Sequence, residues 1–410
     1  MSYSEWNEYK FEELTINYNT KRIPLSSKKR LEKQGEFNYY GAQGIIDSID
    51  EYIFEGEYLL IAEDGANLET RNQDIARLTK ENEKFWVNNH AHIVKSNKKS
   101  DIRYLKYFLN YSDISGYVTG SAQPKLNKAN LNSIKIILPA LEEQRAISKI
   151  LSDLDEKIEV NNKINKNLEE MAQAIFKQWF VDFEFPNEEG KPYKSSGGEM
   201  VESELGMIPK GFKISELKEI ADDIITGKTP STKNKENYGE KYPFITIPDM
   251  HNSIFINSSE RYLSEKGSET QKSKLLPKNS IIVSCIATVG LVSITTKESH
   301  INQQINAVII DKIEYLYYLY EAIKRKKELL LAIGSSGSAT LNVNKKEFEK
   351  IKYLNPTNYY VNLFNSKVNI LYEKIKANIL ENERLEKLRD TLLPKLMSGE
   401  IRVPLENSED

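Results

Sequence analysis

Apolar residues recur at alternating spacings of four and three through two long segments of the chain, the period of a helical seam rather than of a strand. The first seam reads Ile147, Leu151, Leu154, Ile158, Asn161, Asn165, Leu168, Ala172, Ile175, Trp179. The second, 217 positions further on, reads Phe364, Val368, Leu371, Ile375, Asn378, Asn382, Leu385, Arg389, Leu392, Leu396. Elsewhere the apolar runs are short. Tyr58-Leu59-Leu60-Ile61-Ala62, Ile134-Lys135-Ile136-Ile137-Leu138, Asn279-Ser280-Ile281-Ile282-Val283 and Ala307-Val308-Ile309-Ile310 have strand length, whereas 103–111 and 315–331 have helical spacing. The pattern predicts an α+β protein of two globular domains, each followed by a long helix. A first domain over 1–140 leads into a helix over 141–183, and a second over 209–357 into a helix over 358–400, with a tail at 401–410. Between the halves, 184–208 holds Pro186-Asn187-Glu188-Glu189-Gly190-Lys191-Pro192 and Ser195-Ser196-Gly197-Gly198, the composition of an exposed linker or long loop.

The two halves repeat one another. Gly120-Ser121-Ala122-Gln123-Pro124-Lys125-Leu126-Asn127-Lys128 aligns without a gap on Gly337-Ser338-Ala339-Thr340-Leu341-Asn342-Val343-Asn344-Lys345, and Glu156-Lys157-Ile158 meets Glu373-Lys374-Ile375 in the same register. Each seam carries two asparagines near its middle, and a buried asparagine is tolerated only opposite another polar group, so it sets register. If the helices lie antiparallel with paired residue numbers summing to 543, Asn161 faces Asn382 and Asn165 faces Asn378, and every other layer is apolar except Leu154 against Arg389. That predicts an antiparallel coiled coil with an approximate two-fold axis, the halves related like subunits of a dimer. Packing of each helix on its own domain is the competing arrangement, and asparagine pairing distinguishes the two. A helix from Glu142 to Phe180 is about 58 Å long.

Of the 410 residues, 39% are hydrophobic and 29% charged, which permits packed cores. No apolar run approaches the ~20 residues of a membrane span, and Met1-Ser2-Tyr3-Ser4-Glu5-Trp6 lacks a signal-peptide pattern, so the expectation is a soluble cytoplasmic protein with no membrane contact. The lone Cys285, in an apolar run, reads as inert packing. The net charge of −3 is unevenly spread: residues 209–356 hold 22 Lys+Arg against 17 Asp+Glu, and 184–208 hold 2 against 6. A basic domain beside acidic helical and linker stretches suits a nucleic-acid reader with separate protein-docking surfaces.

Fragments of catalytic motifs fail their own requirements. Gly227-Lys228-Thr229 resembles the end of a phosphate loop, but Asp222 stands where that loop needs a glycine. Asn355-Pro356-Thr357-Asn358 lacks the second proline and the aromatic of a base-holding tetrad, and no Gly-rich cofactor turn follows a strand. Pro248-Asp249 is not completed by the remaining residues of a nuclease metal site. His90, His92, His251 and His300 do not have zinc-ligand spacing, and Glu63-Asp64-Gly65 reads as a turn after a strand. The expectation is a binding protein with no catalytic residue and no metal.

The layout resembles the specificity subunits of type I restriction-modification enzymes. The local motifs carrying the resemblance are Lys21-Arg22-Ile23-Pro24-Leu25, Tyr39-Tyr40-Gly41-Ala42-Gln43-Gly44-Ile45-Ile46 and Glu63-Asp64-Gly65-Ala66-Asn67 in the first half. In the second they are Ile208-Pro209-Lys210-Gly211-Phe212-Lys213, Gly227-Lys228-Thr229-Pro230-Ser231, Ala287-Thr288-Val289-Gly290, Asn302-Gln303-Gln304 and Leu392-Leu393-Pro394-Lys395-Leu396-Met397-Ser398-Gly399-Glu400-Ile401. The resemblance implies two target-recognition domains, each reading one half of a bipartite site in double-stranded DNA, with the coiled coil setting the gap. It implies docking of two methyltransferase subunits carrying S-adenosylmethionine, and of restriction (motor-nuclease) subunits using ATP and Mg, with no cofactor bound by this chain.

Reading of DNA calls for Lys and Arg on phosphates and for Asn, Gln, Arg, Ser and Thr on base edges. The candidates are Lys21, Arg22, Tyr40, Gln43, Asn67, Arg71, Ser121, Gln123 and Lys125 in the first domain, and Lys228, Thr229, Ser231, Lys233, Thr246, Asp249, Thr288, Gln303, Ser338 and Thr340 in the second. The first half opens Trp6-Asn7-Glu8-Tyr9-Lys10-Phe11 and lacks the Ile-Pro-x-Gly lead-in of Ile208 to Gly211, which predicts unlike domains and an asymmetric target. The alternative is a coiled-coil adaptor or architectural protein with two binding domains and no DNA target. Ile150, Met171, Phe176 and Trp179, read as exposed apolar residues flanking the seam, fit a partner helix or intrachain packing.

Overall fold

The computed structural model describes residues 5–120, 123–335 and 340–403, which form two compact units. The first contains 5–159 and 383–403, the second 160–382. The first long helix, Leu141–Phe180, and the second, Asn358–Met397, each contribute a segment to both units.

In the first unit a four-stranded antiparallel sheet runs in the order Thr15–Asn17, Ala91–Ser96, Leu59–Ala62, Ala76–Leu78. All four residues of Leu59–Ala62 are buried because the sheet is covered on both faces. Leu59 and Ile61 join the core formed with the helix Ile102–Tyr111 and with Ile147 and Leu151 of the first long helix. Leu60 faces Phe85 and Val87 of a second sheet, ordered Gly44–Ile49, Gln34–Gly41, Lys84–Val87, Phe54–Glu55. Asp101 starts Ile102–Tyr111 by accepting from the amides of Arg103 and Tyr104 at 3.0 and 2.9 Å, a strong N-cap. A separate strand pair, Asn7–Lys10 with Lys135–Leu138, closes the unit.

The second unit repeats this plan. Strands Asp223–Thr226, Ile305–Ile309, Ile281–Ser284, Val292–Thr295 and Phe255–Ile256 form a sheet in that order, and Ile281 and Val283 point to one core while Ile282 points to another. A parallel pairing, Phe244 with His300, matches that of Tyr39 with Trp86 in the first unit. The pair Lys213–Glu216 with Lys352–Asn355 matches Asn7–Lys10 with Lys135–Leu138.

The segment 184–208, expected as an exposed linker, is folded onto the second unit. Phe185 is fully buried and stacks between Tyr193 and Phe212, and Met200–Ser203 pairs with Gly206–Pro209 as a hairpin. Its polar composition concealed the few apolar residues that hold it, Phe185 and Ile208 in the core with Tyr193 and Val201 packed against them. Phe176 and Trp179, read as flanking the seam, are buried against Phe364 and Tyr318, whereas Ile150 and Met171 are exposed. The helical stretch 315–331 divides into Leu316–Lys324 and Lys327–Ser335.

Within the second unit the long helices run antiparallel through an asparagine ladder. Asn161 Nδ2 donates to Asn382 Oδ1 and Asn378 Nδ2 to Asn165 Oδ1, each at 2.8 Å. Asn382 Nδ2 also reaches Asn162 Oδ1 at 2.8 Å. In the first unit Arg389 turns out of the seam, its Nη1 meeting Asp155 Oδ1 at 2.8 Å, so the Leu154 layer does not enclose a charge.

Candidate nucleic-acid interface

Strand direction brings distant loops to one end of each sheet. In the second unit the strand Asp223–Thr226 ends where Ile305–Ile309 begins, with Thr226 opposite Asn306, and Ile281–Ser284 ends there too, with Ser284 opposite Ile305. The loops at this end are stitched by backbone bonds from Lys228 N to Ile301 O at 3.0 Å, Cys285 N to Gln304 O at 2.8 Å and Ala287 N to Leu341 O at 3.0 Å. Gly227 is required by the first of these approaches: a Cβ there would fall 2.2 Å from Asn302 O. The Gly-Lys-Thr fragment is therefore a packing solution for two crossing loops rather than a phosphate cradle.

Lys228, Ser231, Lys233, Thr288, Gln303 and Thr340 are exposed on these loops, and Thr229 Oγ1 lies 2.5 Å from Gln303 Oε1. Thr246 and Asp249 are differently employed. Thr246 is buried and caps a helical turn with Asp249, whose Oδ2 accepts from Thr246 N at 2.7 Å and whose Oδ1 accepts from Glu260 N at 2.8 Å. These bonds tie both side chains into the turn.

The same end of the first-unit sheet gathers Glu63 to Asn67, His90, Lys125 and the segment after Asn17, since Ala62 pairs with Ala91 and Leu126 N donates to Glu63 O at 2.8 Å. Lys21, Gln43, Gln123 and Lys125 are exposed here. Arg22 is not free for phosphate: its Nη1 bonds Glu63 Oε2 at 2.9 Å and Ala91 O at 2.7 Å. Burial alone would raise the Glu63 carboxyl, but the Arg22 bond and the charges of His92, Arg22 and Lys125 outweigh it and hold Glu63 below the usual carboxylate range. Arg71 caps the helix Ile102–Tyr111, donating to Leu109 O at 3.0 Å and Ser112 O at 2.6 Å. Tyr40 lies in the core against Phe85, its hydroxyl 2.6 Å from Glu83 Oε1. Ser121 and Ser338 lie outside the described residues.

Sequence reasoning omitted Arg77, whose guanidinium lies against Gly44 at the hairpin tip beside Gln43, and the exposed Ile45 and Ile46 on the same hairpin. No local pattern marks Arg77, which reaches this place through pairing of Leu60 with Arg77 across two strands. Among the described residues no group of three or more His, Cys, Asp or Glu is arranged to hold a metal, and no helix is long and apolar enough to cross a membrane. Exposed cations stand together with amide and hydroxyl side chains at matching ends of the two sheets.

Residues 3–170 and 209–356 match the family described as type I restriction modification DNA specificity domain. The chain is 37% identical to the type I restriction enzyme HindI specificity subunit of Haemophilus influenzae, over 68% of this chain and 71% of that protein. It is 32% identical to the type I restriction enzyme MjaIX specificity subunit of Methanocaldococcus jannaschii, over 71% of this chain and 65% of that one. Among solved structures, a type-I restriction-modification system S subunit from M. genitalium shares the fold with a TM-score of 0.63, covering 98% of this chain and 97% of its own at 15% identity.

Proposed function

The chain belongs to the type I restriction-modification specificity family, the non-catalytic subunits that recognise DNA for the complex, and we propose that it reads an asymmetric, two-part target, one half with each sheet end. The supporting observation is the duplicated sheet whose equivalent ends carry different side chains: Lys21, Gln43, Asn67, Gln123 and Lys125 in one, Lys228, Thr229, Ser231, Lys233, Thr288, Gln303 and Thr340 in the other. Unlike side chains on a like scaffold read unlike sequences. Two methyltransferase subunits and the restriction subunits dock on this chain and supply S-adenosylmethionine, ATP and Mg, and the complex works in the cytoplasm.

The test is co-expression with the methyltransferase subunit of the same system and long-read mapping of methylated adenines, with this chain omitted as control. Methylation confined to a gapped, asymmetric motif and lost without the chain supports the reading. Methylation indifferent to the chain, or none with a demonstrably active partner, rejects it in favour of an adaptor role.

A further inference from the structure

Asn67 is only 2% exposed, yet neither its Oδ1 nor its Nδ2 has a hydrogen-bond partner. Among the described residues no other buried side chain leaves two polar atoms in this state. Folded proteins seldom bury an amide unmet, because the lost water contacts are replaced by nothing. The backbone makes room for this one. Gly65, at φ +123°, turns the chain after Leu59–Ala62, and a Cβ on it would fall 2.9 Å from Asn67 Oδ1. The same point is 3.6 Å from Gln43 Nε2, so a second carboxamide, exposed at its hairpin tip, lies beside the first.

A carboxamide offers one donor and one acceptor side by side. In the major groove adenine presents the complement, N7 accepting and the N6 amino group donating, whereas guanine presents two acceptors, cytosine a donor alone, and thymine an acceptor with a methyl. We propose that Asn67 reads an adenine in the half-site bound by the first unit, donating from Nδ2 to N7 and accepting at Oδ1 from N6, with Gln43 as the cover that moves aside when DNA binds. The proposal rests on the reading of this chain as a two-part DNA reader, and it assigns base choice at one position to one side chain.

The experiment uses the full chain co-expressed with its methyltransferase subunit, carrying Asn67→Leu or Asn67→Asp, with methylation mapped by long-read sequencing and chain stability followed by melting. Asn67→Leu removes both polar atoms at similar volume. It is expected to fold as well as the wild type while discrimination for adenine falls about 10- to 100-fold at one position of one half-site. The other half-site stays intact. Asn67→Asp keeps the shape but accepts only, and is expected to move preference at that position toward cytosine.

Two folded variants with the wild-type motif overturn the proposal and leave a buried water as the partner of Asn67. Loss of all methylation by both variants, with the partner subunit still bound, overturns it as well and makes Asn67 structural. Failure of the underlying two-part reading has a different signature, because there the wild-type chain itself yields no gapped motif.

Discussion

Lys21 and Arg22 are adjacent cations with opposite assignments. Lys21 is exposed, with its ammonium 5.4 Å from the Tyr18 ring, while Arg22 is held by Glu63 and by the carbonyls of Ala91 and Asn89. Lys21→Ala is therefore expected to leave melting unchanged, to weaken DNA binding a few-fold regardless of sequence, and to reduce the slope of log K against log salt by about 1. Arg22→Ala is expected to cost about 1–3 kcal/mol of stability, measured by denaturant titration, since it strands a half-buried carboxylate and a carbonyl.

His300 supplies a pH dependence. Burial lowers its pKa from 6.5 to about 4, and it sits between Ser268 Oγ at 2.8 Å and Gln271 Nε2 at 3.2 Å. Between pH 6.5 and 4 the unfolded chain takes up a proton that the folded chain refuses. Stability is thus unaffected by this group above pH 6.5 and falls as pH drops through the window, by up to about 1.4 kcal/mol per unit. Melting curves of His300→Gln are expected to be flatter across the same range. At this scale the sequence displayed the side-chain types but not their employment. Arg22, Arg71, Thr246 and Asp249 have the chemistry of DNA contacts, and only tertiary structure reveals that their hydrogen bonds are used within the fold.

For whole elements the sequence was more explicit. The four-three spacing marked both long helices because it persists over many turns, and the paired asparagines marked their register because a buried amide demands a partner. Asn161→Leu alone leaves Asn382 Oδ1 without its donor and is expected to lose about 1–3 kcal/mol, and Asn161→Leu with Asn382→Leu is expected to lose less than the sum of the two single losses in a double-mutant cycle, because the bond between them is counted once. Short strands were less visible: Phe54–Glu55 and Phe255–Ile256 have two residues each, too few to establish any period. The break near Arg325 was also hidden, since no Gly or Pro marks it. The run Leu392 to Ile401 shows the reverse case, a motif whose physical purpose emerges only in three dimensions. Gly399, at φ 75°, ends the second long helix beneath the Trp6 ring, and Ile401 N returns to Lys395 O at 3.0 Å.

That turn delivers Arg402 to Glu143, a carboxylate 1% exposed that receives Nε at 2.6 Å and Nη2 at 2.7 Å. Removing one member of so enclosed a pair leaves an uncompensated charge. Arg402→Ala is expected to destabilise the first unit by roughly 3 kcal/mol, visible as faster amide exchange at the start of the helix Leu141–Phe180, with exchange in 223–309 unchanged. Arg402→Lys keeps the charge without the fork and falls between.

The first unit is also assembled from segments more than 220 residues apart, since Ile147 and Leu151 are covered by Leu396 and Met397. During synthesis at ~5–20 residues per second, the second unit has all its residues once 382 has been made, while the first waits roughly 10–45 s after residue 159 for its cover. Its apolar flank stands open on the ribosome for that interval. A chain truncated after residue 382 should therefore hold a second unit that resists protease and a first unit that is cut at its uncovered flank.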